Sequence, residues 1–205
     1  MESYTTIRKL ADFEYEDRKS IFIGTAAPVK SESEALDFLA FIKKKYPDAR
    51  HHVYAYVLRE NSIMRFSDDR EPQGTAGMPV LDAICKNGCT DTAVVVIRYF
   101  GGTLLGTGGL VRAYSAAACG ALTNAEIITY DIYTVINIEC TYSDYQKITP
   151  IISECGYRIR DTKYSDTVEI IGSIQKDKVE AFVHSLTECT SGRTETKILE
   201  EIFDF

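Results

Sequence analysis

Alternating apolar and polar residues in the first part of the chain predict strands that are joined by short turns. Residues 13–29 alternate as a pair of strands does, and the polar residues 18–20 mark the expected bend. Residues 52–58 alternate in the same way, and residues 62–66 are expected to pair with them across a turn at 60–61. The pattern therefore predicts two strand pairs in this part of the chain.

Helical patterns occur twice in the first half of the chain. Ser31 and the acidic residues after it form a good capping sequence for a first helix. Three lysines at 43–45 suit the C-terminus of this helix, and Pro47 lies beyond its end. A second, shorter helix is predicted to open at Val80 and to stop at Gly88.

Residues 94–115 combine a buried strand, a glycine-rich loop and the start of a helix. Four apolar residues precede Arg-Tyr-Phe at 98–100, and the helix is predicted to run over 108–122. Five glycines lie within nine positions: Gly101, Gly102, Gly106, Gly108 and Gly109. A strand, a glycine loop and a helix N-terminus together offer backbone N–H groups to an anion. Glycine in a regular element costs roughly 0.5–1 kcal/mol relative to alanine, so either tight backbone packing or a close ligand must offset it.

A second loop of similar character lies at residues 66–80, and it too runs into a predicted helix. Its charged residues precede a proline and two glycines that flank a threonine: Asp68, Asp69, Arg70, Glu71, Pro72, Gly74, Thr75 and Gly77. The chain therefore contains two junctions of a polar, glycine-bearing loop with a helix N-terminus.

The pattern changes from residue 133 onwards. The predicted elements are, in order, a strand at 133–142, a helix ending near residue 155, strands at 157–164 and 167–173, a helix at 176–186 and a strand at 193–202. Ser143 and Asp144 are expected to cap the first of these helices. The order β-α-β-β-α-β is typical of a ferredoxin-like domain. The sequence thus predicts an α+β protein with two domains, residues 1–130 and 131–205.

Composition places the chain among ordinary globular proteins, with 205 residues of which 45% are hydrophobic and 26% charged. No apolar run approaches the roughly 20 residues of a membrane helix, and the N-terminus lacks the features of a signal peptide. The six cysteines show no C-x-x-C spacing, and Cys85 and Cys119 are expected to face apolar neighbours within helices. Buried thiols favour a reducing cytoplasm over disulfides or zinc.

The net charge of −7 is unevenly spread along the chain. Residues 1–130 carry 15 basic and 16 acidic side chains, a net charge of −1, whereas residues 131–205 carry 8 and 14, a net charge of −6. This distribution disfavours nonspecific binding of polyanions by the whole surface. It still permits a local basic groove in the first domain.

Candidate functional residues fall into three clusters, at 48–56, 66–80 and 98–112. His51 and His52 begin a strand, so their rings should point to opposite faces of the sheet. Asp68, Asp69 and Glu71 are oxygen ligands of the kind that Mg²⁺ binds, although a turn with caps would explain them as well.

Arg50, Arg98 and Arg112 are more informative. An arginine that ends a buried strand, as Arg98 does, usually pairs with a carboxylate or a phosphate. Within the chain that partner would be one of the acidic residues at 68–71. The glycine loop lacks the spacing of Walker and dinucleotide-binding motifs, and no nucleophile has a base at a recognisable spacing, so neither a cofactor nor a metal is predicted.

These clusters resemble the IMPACT/YigZ family. The matching pieces, spread over residues 18–114, are Lys19-Ser20 with Phe22, DARHH at 48–52, FSDD-x-EP-x-GTAG-x-P at 66–79 and RYFGG-x-LLG-x-GGL-x-RAY at 98–114. The acidic last third looks like the C-terminal domain of bacterial YigZ-type members, a resemblance that implies a protein without the N-terminal RWD domain of eukaryotic IMPACT proteins.

The resemblance implies a fold and a setting. The first domain would have the fold of the second domain of ribosomal protein S-five, and the ferredoxin-like second domain would resemble domain V of elongation factor G. Eukaryotic members of the family are tied to translational control, where they restrain a stress-activated kinase of an initiation factor by competing for its activator. Peptidase activity has been ascribed to some bacterial members, but no catalytic constellation is visible in this chain.

The preferred hypothesis is a non-enzymatic, cytoplasmic protein linked to translation that binds RNA phosphate or a ribosome-associated partner. A groove in its first domain would use arginines and loop N–H groups for anions, and Tyr99, Phe100 and Tyr114 for stacking on bases. The predicted binding residues are Arg50, His51, Asp68, Asp69, Glu71, Gly74, Thr75, Gly77, Arg98, Tyr99, Phe100, Gly101, Gly102, Gly106, Gly108, Gly109, Arg112 and Tyr114.

Two other hypotheses compete with it. A hydrolase acting on a peptide or phosphate substrate would use Asp68, Asp69 and Glu71 as metal ligands or acid–base groups, with His51 or His52 as general base. A pure protein-interaction module would instead dock through the acidic second domain.

Overall fold

The computed structural model describes residues 2–205 and divides them into two compact units. The first unit is Tyr4–Thr129, and the second is residues 2–3 together with Tyr130–Phe205. Both units combine helices with an antiparallel sheet, which confirms the α+β class. None of the helices within residues 2–205 has the length and apolar character needed to cross a membrane.

The first unit is built around a five-stranded antiparallel sheet. Its elements are β1 (Tyr4–Ile7), β2 (Ala11–Asp17), β3 (Ser20–Pro28), α1 (Glu32–Lys45), β4 (His51–Leu58), β5 (Ile63–Ser67), α2 (Gly77–Lys86), β6 (Thr92–Tyr99) and α3 (Gly106–Asn124). Strands β2 to β6 pair in the order β2-β3-β6-β4-β5. Both predicted strand pairs are confirmed, since β2 pairs with β3 and β4 with β5.

Strand β6 lies in the middle of this sheet, and helices cover both faces. Val94 and Val96 pack with side chains of α2 and α3, while Val95 and Ile97 pack with those of α1. This two-sided burial explains the run of four apolar residues before Arg98, because a strand covered on one face alone would alternate.

The second unit follows the predicted order β-α-β-β-α-β. Its elements are β7 (Ile127–Cys140), α4 (Tyr142–Glu154), β8 (Arg158–Tyr164), β9 (Val168–Gln175), α5 (Val179–Thr190) and β10 (Glu195–Asp204). Its sheet has five strands: β7 pairs antiparallel with β10 and with β9, β9 pairs antiparallel with β8, and β1 also pairs with β7, whose residues 127–129 belong to the first unit. Side chains of α4 and α5 form its core with those of the sheet, including Ile136, Ile138, Ile148, Phe182 and Leu186.

Two helices start earlier than expected. Helix α2 begins at Gly77 instead of Val80, and α3 begins at Gly106 instead of Gly108. Glycine has no side chain and so contributes nothing to the apolar periodicity from which the starts were predicted. Both helices therefore begin directly in their glycine-bearing loops.

Of the two predicted helix N-caps, that of α1 is confirmed and that of α4 lies at a different residue. Ser31 caps α1 as predicted, because its Oγ accepts a hydrogen bond from the N–H of Glu34. The cap of α4 is Thr141, whose side chain accepts from the N–H of Asp144, so the assignment to Ser143 and Asp144 is wrong. The strand before α4 ends two residues earlier than predicted, which moves the cap back with it.

The expectation of buried thiols holds for only part of the set. Cys89 and Cys140 are buried, but Cys85 and Cys119 are exposed, which corrects the prediction that they face apolar neighbours. These two lie on the solvent side of their helices. Burial raises the pKa of the Cys89 thiol to about 11.

Candidate functional site

The site begins where two neighbouring strands meet a loop. His51 opens β4 and is the cross-strand partner of Arg98, near the end of β6. The loop between β5 and α2 brings Glu71 to the same place, and its Oε1 accepts a hydrogen bond from Arg98 Nη1 at 2.7 Å. Both side chains are buried, with exposures of 8% and 4%. Glu71 is thus the internal carboxylate partner of Arg98.

Tyr114, on α3, completes this buried network. Its hydroxyl donates to the same oxygen of Glu71 at 2.8 Å, and its ring packs edge-on against Phe22 with centroids 5.1 Å apart. Burial, followed by the charge of Glu71, raises the pKa of Tyr114 far above its ordinary value, so the hydroxyl stays protonated and keeps donating. The ring is fully buried, which corrects the prediction that it stacks on a base.

Arg98 retains unused hydrogen-bonding capacity. Its Nη1 is bonded to Glu71, but no residue among 2–205 accepts from Nε, which is itself buried. The guanidinium carbon lies 5.6 Å from the ring centre of Phe100 and 5.4 Å from that of Phe22. A buried donor without a partner is costly, so an additional acceptor beside Arg98 would be favourable.

The two histidines lie on opposite sides of the sheet. His51 Nδ1 lies 2.8 Å from the backbone oxygen of Asp69, so in the neutral ring it carries the proton. Its Nε2 is then an acceptor, 3.9 Å from Glu71 Oε1. His52 Nε2 lies 3.0 Å from the backbone oxygen of Tyr46, at the end of α1. His51 therefore belongs to the site, and His52 faces the other layer.

The carboxylate of Asp68 occupies the start of α2. It accepts hydrogen bonds from the N–H groups of Gly74, Ala76 and Gly77 at 2.9, 3.1 and 2.8 Å. Thr75 is buried in the same turn, and its hydroxyl donates to a backbone oxygen of the loop. This loop-to-helix junction thus binds an anion from its own chain, so these N–H groups are not available to an external one.

The three acidic residues of this loop do not form a metal site. Asp69 accepts from the backbone N–H of His52 at 2.7 Å, while Asp68 and Glu71 have the separate partners described above. In the part of the chain that the structure describes, no three His, Cys, Asp or Glu side chains converge in a way that could hold a metal ion. The carboxylate cluster on which the hydrolase hypothesis depends is therefore not assembled.

Packing and backbone conformation explain the first glycines of the loop after β6. A Cβ on Gly101 would lie 2.0 Å from the backbone carbon of Lys19, and the Gly101 N–H donates to Ser20 Oγ at 3.0 Å. Gly102 and Gly106 have φ angles of +85° and +71°, which residues with side chains rarely adopt. Close packing at Gly101 and positive φ angles at Gly102 and Gly106 therefore account for this part of the loop without a ligand.

The two glycines inside α3 differ from each other. A Cβ on Gly109 would lie 2.9 Å from the Cβ of Leu105, so space is short there. A Cβ on Gly108 would meet only Arg112 Nη1, at 3.8 Å. Packing therefore does not explain Gly108. Arg112 itself is exposed on the helix surface.

Two adjoining cavities meet at Arg98. The first, of about 280 Å³, is lined by Arg50, His51, Arg98, Phe100 and Leu104, and we call it the arginine groove. The second, of about 250 Å³, shares Arg98 and Leu104 with it and is otherwise lined by Glu71, Pro72 and the first turns of α3. We call this second one the α3 cavity.

The remaining predicted residues are placed differently. Arg50 is exposed at the mouth of the arginine groove, whereas Arg112 lines neither cavity. Tyr99 packs with the cluster beneath α1. Sequence reasoning missed Leu104, which is 81% exposed and lines both cavities. Its signal was available, because an apolar Leu-Leu pair within a polar, glycine-rich loop has no obvious structural role.

Known proteins match this chain over most of its length. A family model described as the Impact N-terminal domain matches residues 18–122, and one described as Domain of unknown function (DUF1949) matches residues 138–193. The chain is 34% identical over 198 residues to IMPACT family member YvyE of Bacillus subtilis (strain 168), covering 96% of this chain and 91% of that protein. It is 33% identical over 189 residues to IMPACT family member YigZ of Escherichia coli (strain K12), covering 91% and 93%.

A solved structure resembles the chain as well. It is described as the crystal structure of a hypothetical protein, and it matches with a TM-score of 0.60 and 32% identity over 98% of both chains.

Proposed function

The chain belongs to the IMPACT family, and from that premise we propose that it is a non-enzymatic binding protein linked to translation, whose first unit contacts RNA phosphate. It acts in the cytoplasm, and its partner is RNA on or near the ribosome. The link to translation comes from the family resemblance, and the contact with RNA comes from the chemistry of the arginine groove.

The groove combines exposed charge with an exposed ring. Phe100 is 50% exposed and offers a face on which a base can stack. Arg50 is exposed beside it, and Arg70 donates to the backbone oxygen of Arg50. Arg18 donates to the backbone oxygen of Leu104 at 3.4 Å. These arginines make a local basic surface on a domain whose net charge is close to zero.

The observation that carries the proposal is the exposed pair of Arg50 and Phe100, which line one groove together with the buried guanidinium of Arg98. Arg98 Nη1 donates to Glu71, so the side chain of Arg98 is fixed in place before any ligand arrives. The exposed guanidinium of Arg50, in a groove whose wall is held by the Arg98–Glu71 pair, suits a phosphate oxygen, with which arginine forms charge-assisted hydrogen bonds.

The proposal is tested by binding of fluorescently labelled single-stranded RNA, measured by anisotropy at several salt concentrations. The affinity should fall as salt rises, and both Arg50→Ala and Phe100→Ala should weaken binding, because stacking on one ring contributes about 1–3 kcal/mol. Arg65→Ala removes an exposed arginine of β5 that lines neither cavity, and it serves as the matched control.

Equal affinities of Arg50→Ala, Phe100→Ala and Arg65→Ala would refute a role of the groove. Capture of a ribosomal protein by the parent, without any RNA binding, would replace RNA by a protein partner. Arg98→Ala is a poor probe, since it leaves Glu71 buried and unpaired and so affects folding first.

We also propose specific folds for the two units. The antiparallel pairs β10–β7, β7–β9 and β9–β8, with the connection order β-α-β-β-α-β, support a ferredoxin-like second unit resembling domain V of elongation factor G. For the first unit, the family resemblance supports the fold of the second domain of ribosomal protein S-five. Domain limits of 1–130 and 131–205 accompany this proposal. A superposition of each unit alone on those domains is the direct check.

A further inference from the structure

We propose that the free edge of β10 binds an extended, basic segment of a partner protein, which joins the sheet of the second unit as a further strand. This ligand differs from the RNA proposed for the first unit, both in its chemistry and in the unit that binds it. Three features of β10 support the proposal: an unpaired edge, a partly apolar groove beside that edge, and an excess of carboxylates.

Strand β10 uses only one side of its backbone within the sheet. It pairs antiparallel with β7 over residues 195–204, and no other strand within residues 2–205 pairs with it. A bulge at Leu199 divides the edge into two segments, each long enough for a short added strand. The N–H and C=O groups of alternate residues point away from β7, and an incoming strand can pair with them.

A groove accompanies this edge on the side of the helices. A cavity of about 250 Å³ lies between β10 and the start of α5, and we call it the β10 groove. Ile198 lies opposite the buried Ile136 of β7, yet it is 60% exposed, and Leu199 beside it is 46% exposed. The residues that line the groove are Thr134, Lys176, Val179, Glu180, Ile198 and Glu201. An added strand would cover apolar side chains here as well as form hydrogen bonds.

The charge of β10 selects a basic ligand. The strand carries four acidic residues and one lysine, a net charge of −3. Glu201 is paired with Lys176 Nζ at 2.8 Å. In contrast, Glu180, Glu195 and Glu200 have no ion-pair partner within residues 2–205. Carboxylates that lack a cation are available to the lysines or arginines of a partner.

The groove also suits the shape of a basic side chain. Ile198 and Val179 offer apolar surface to the methylene stem of a lysine or arginine, and Glu180 lies beside them for its charged head. A second cavity, of about 430 Å³, shares Lys176 with the β10 groove and is lined by Asp131 and Asp177 as well. Basic residues at alternate positions of the segment would therefore meet carboxylates at more than one point.

The same charges disfavour two other occupants. The net charge of −6 on residues 131–205 repels RNA. Antiparallel pairing of two copies centred on Ile198 would place Glu195 of one copy opposite Glu201 of the other. Like charges directly opposite each other destabilise a sheet, so a second copy fits the edge poorly.

The test uses the full chain and a labelled ten-residue peptide in which lysine alternates with valine. Anisotropy measures binding at several salt concentrations, and the affinity should fall as salt rises. A peptide with glutamate in place of lysine should bind at least tenfold more weakly. Equal binding of the two peptides would overturn the proposal, because charge would then not select the ligand.

Backbone methylation distinguishes strand addition from simple charge attraction. A lysine–valine peptide that is methylated at every backbone nitrogen keeps its charge and side chains but has no N–H group to donate to β10. It should bind at least tenfold more weakly than the unmethylated peptide. Equal affinities would show that no strand is added, and they would overturn the proposal.

Ile198→Lys is the decisive variant, because it places a cation at an exposed position of the groove and should leave the fold intact. Binding of the lysine–valine peptide should weaken at least tenfold. Ile159→Lys is the matched control: it makes the same change at a half-exposed isoleucine of β8, the opposite edge strand, and should bind as the parent does. Equal binding by the two variants, or peptide-induced amide shifts at Ile159 instead of Ile198, would overturn the proposal.

Self-association is measured separately by analytical ultracentrifugation of the parent chain. A dimer that Ile198→Lys dissociates would assign the edge to a second copy and would overturn the proposal. A parent that stays monomeric and binds the lysine–valine peptide supports it. The RNA proposal is decided independently, because Arg50→Ala and Phe100→Ala change the first unit alone.

Discussion

At the scale of single residues, the buried pair of Arg98 and Glu71 fixes the geometry of the candidate site. Both side chains are buried, they meet at 2.7 Å, and Tyr114 holds the same carboxylate oxygen. Breaking a buried ion pair by removing one partner leaves an uncompensated charge, which costs far more than the net contribution of the pair itself. The network therefore fixes the arginine in position and makes it intolerant of single changes.

Arg98→Ala should lower the free energy of unfolding by about 3–5 kcal/mol, because Glu71 stays buried without its cation. Replacing the whole network, with Arg98→Met, Glu71→Leu and Tyr114→Phe together, should recover most of that loss. Urea unfolding followed by circular dichroism measures both. A triple variant as unstable as Arg98→Ala would show that the loss comes from packing and not from the unpaired charge.

The sequence predicts that Arg98 has an acidic partner, but it does not predict which of three acidic residues that partner is. That Arg98 needs an anionic partner follows from an arginine at the end of an apolar strand, but the sequence leaves Asp68, Asp69 and Glu71 equivalent. The structure separates them because Asp69 and Arg70 have positive φ angles of 37° and 71°. That sharp turn directs each carboxylate to a different partner, and such tertiary geometry leaves no local pattern.

At the scale of elements, the sequence predicts a helix cap correctly where the capping side chain and the N–H group it accepts from are close in sequence. Ser31 caps α1 through an N–H three residues away, so the motif alone predicts it. The cap of α2 is different, since Asp68 reaches N–H groups up to nine residues away across a loop. From the sequence alone its carboxylate is also a candidate metal ligand, because only the folded loop shows which groups it meets.

Alanine substitutions at two glycines after β6 should change the stability of the protein in opposite directions. Gly101→Ala should destabilise by at least about 1–3 kcal/mol, because its Cβ would collide with the backbone of Lys19. Gly108→Ala should stabilise by about 0.5–1 kcal/mol, because the position is helical and open and alanine is the better helix former.

Thermal unfolding of the two variants beside the parent checks this difference. Gly108→Ala keeps its backbone N–H, so it should also retain RNA binding. If both variants lose stability equally, the loop is constrained by something other than the close approach of Gly101 to the β2–β3 turn.

At the scale of the whole molecule, charge divides the chain in two. Residues 131–205 hold a net charge of −6, against −1 for residues 1–130. The proposed RNA binding therefore depends on the local surface of the first unit, since the second unit repels polyanions as a whole. Docking of a protein partner through the acidic unit stays a prediction of the sequence.

The second unit contains an ion-pair network of its own, which should make the stability of this unit sensitive to acid. The Asp144 carboxylate, on α4, accepts hydrogen bonds from Arg193, just before β10, at 2.8 and 3.0 Å, and from Lys147 at 2.9 Å. The hydrogen bonds from Arg193 first, then from Lys147, hold the pKa of Asp144 well below its ordinary value of 3.8. A carboxyl group whose pKa is lower in the folded state than in the unfolded state stabilises the fold above the unfolded value.

That contribution should be fully present above about pH 5 and should decline as the pH falls below 3.8 towards the folded pKa, since the unfolded chain then binds the proton first. Urea unfolding of the second unit, followed by amide signals of Ile136 and Ile138 between pH 6 and pH 3, measures this contribution.

Asp144→Asn should be less stable than the parent at pH 6, and the difference in stability should narrow towards pH 3. Asp166→Asn, at an exposed position of the same unit, should have the stability of the parent throughout. If the difference in free energy of unfolding between Asp144→Asn and the parent stays constant with pH, the network stabilises the unit through neutral hydrogen bonds and packing and not through the charge of the carboxylate.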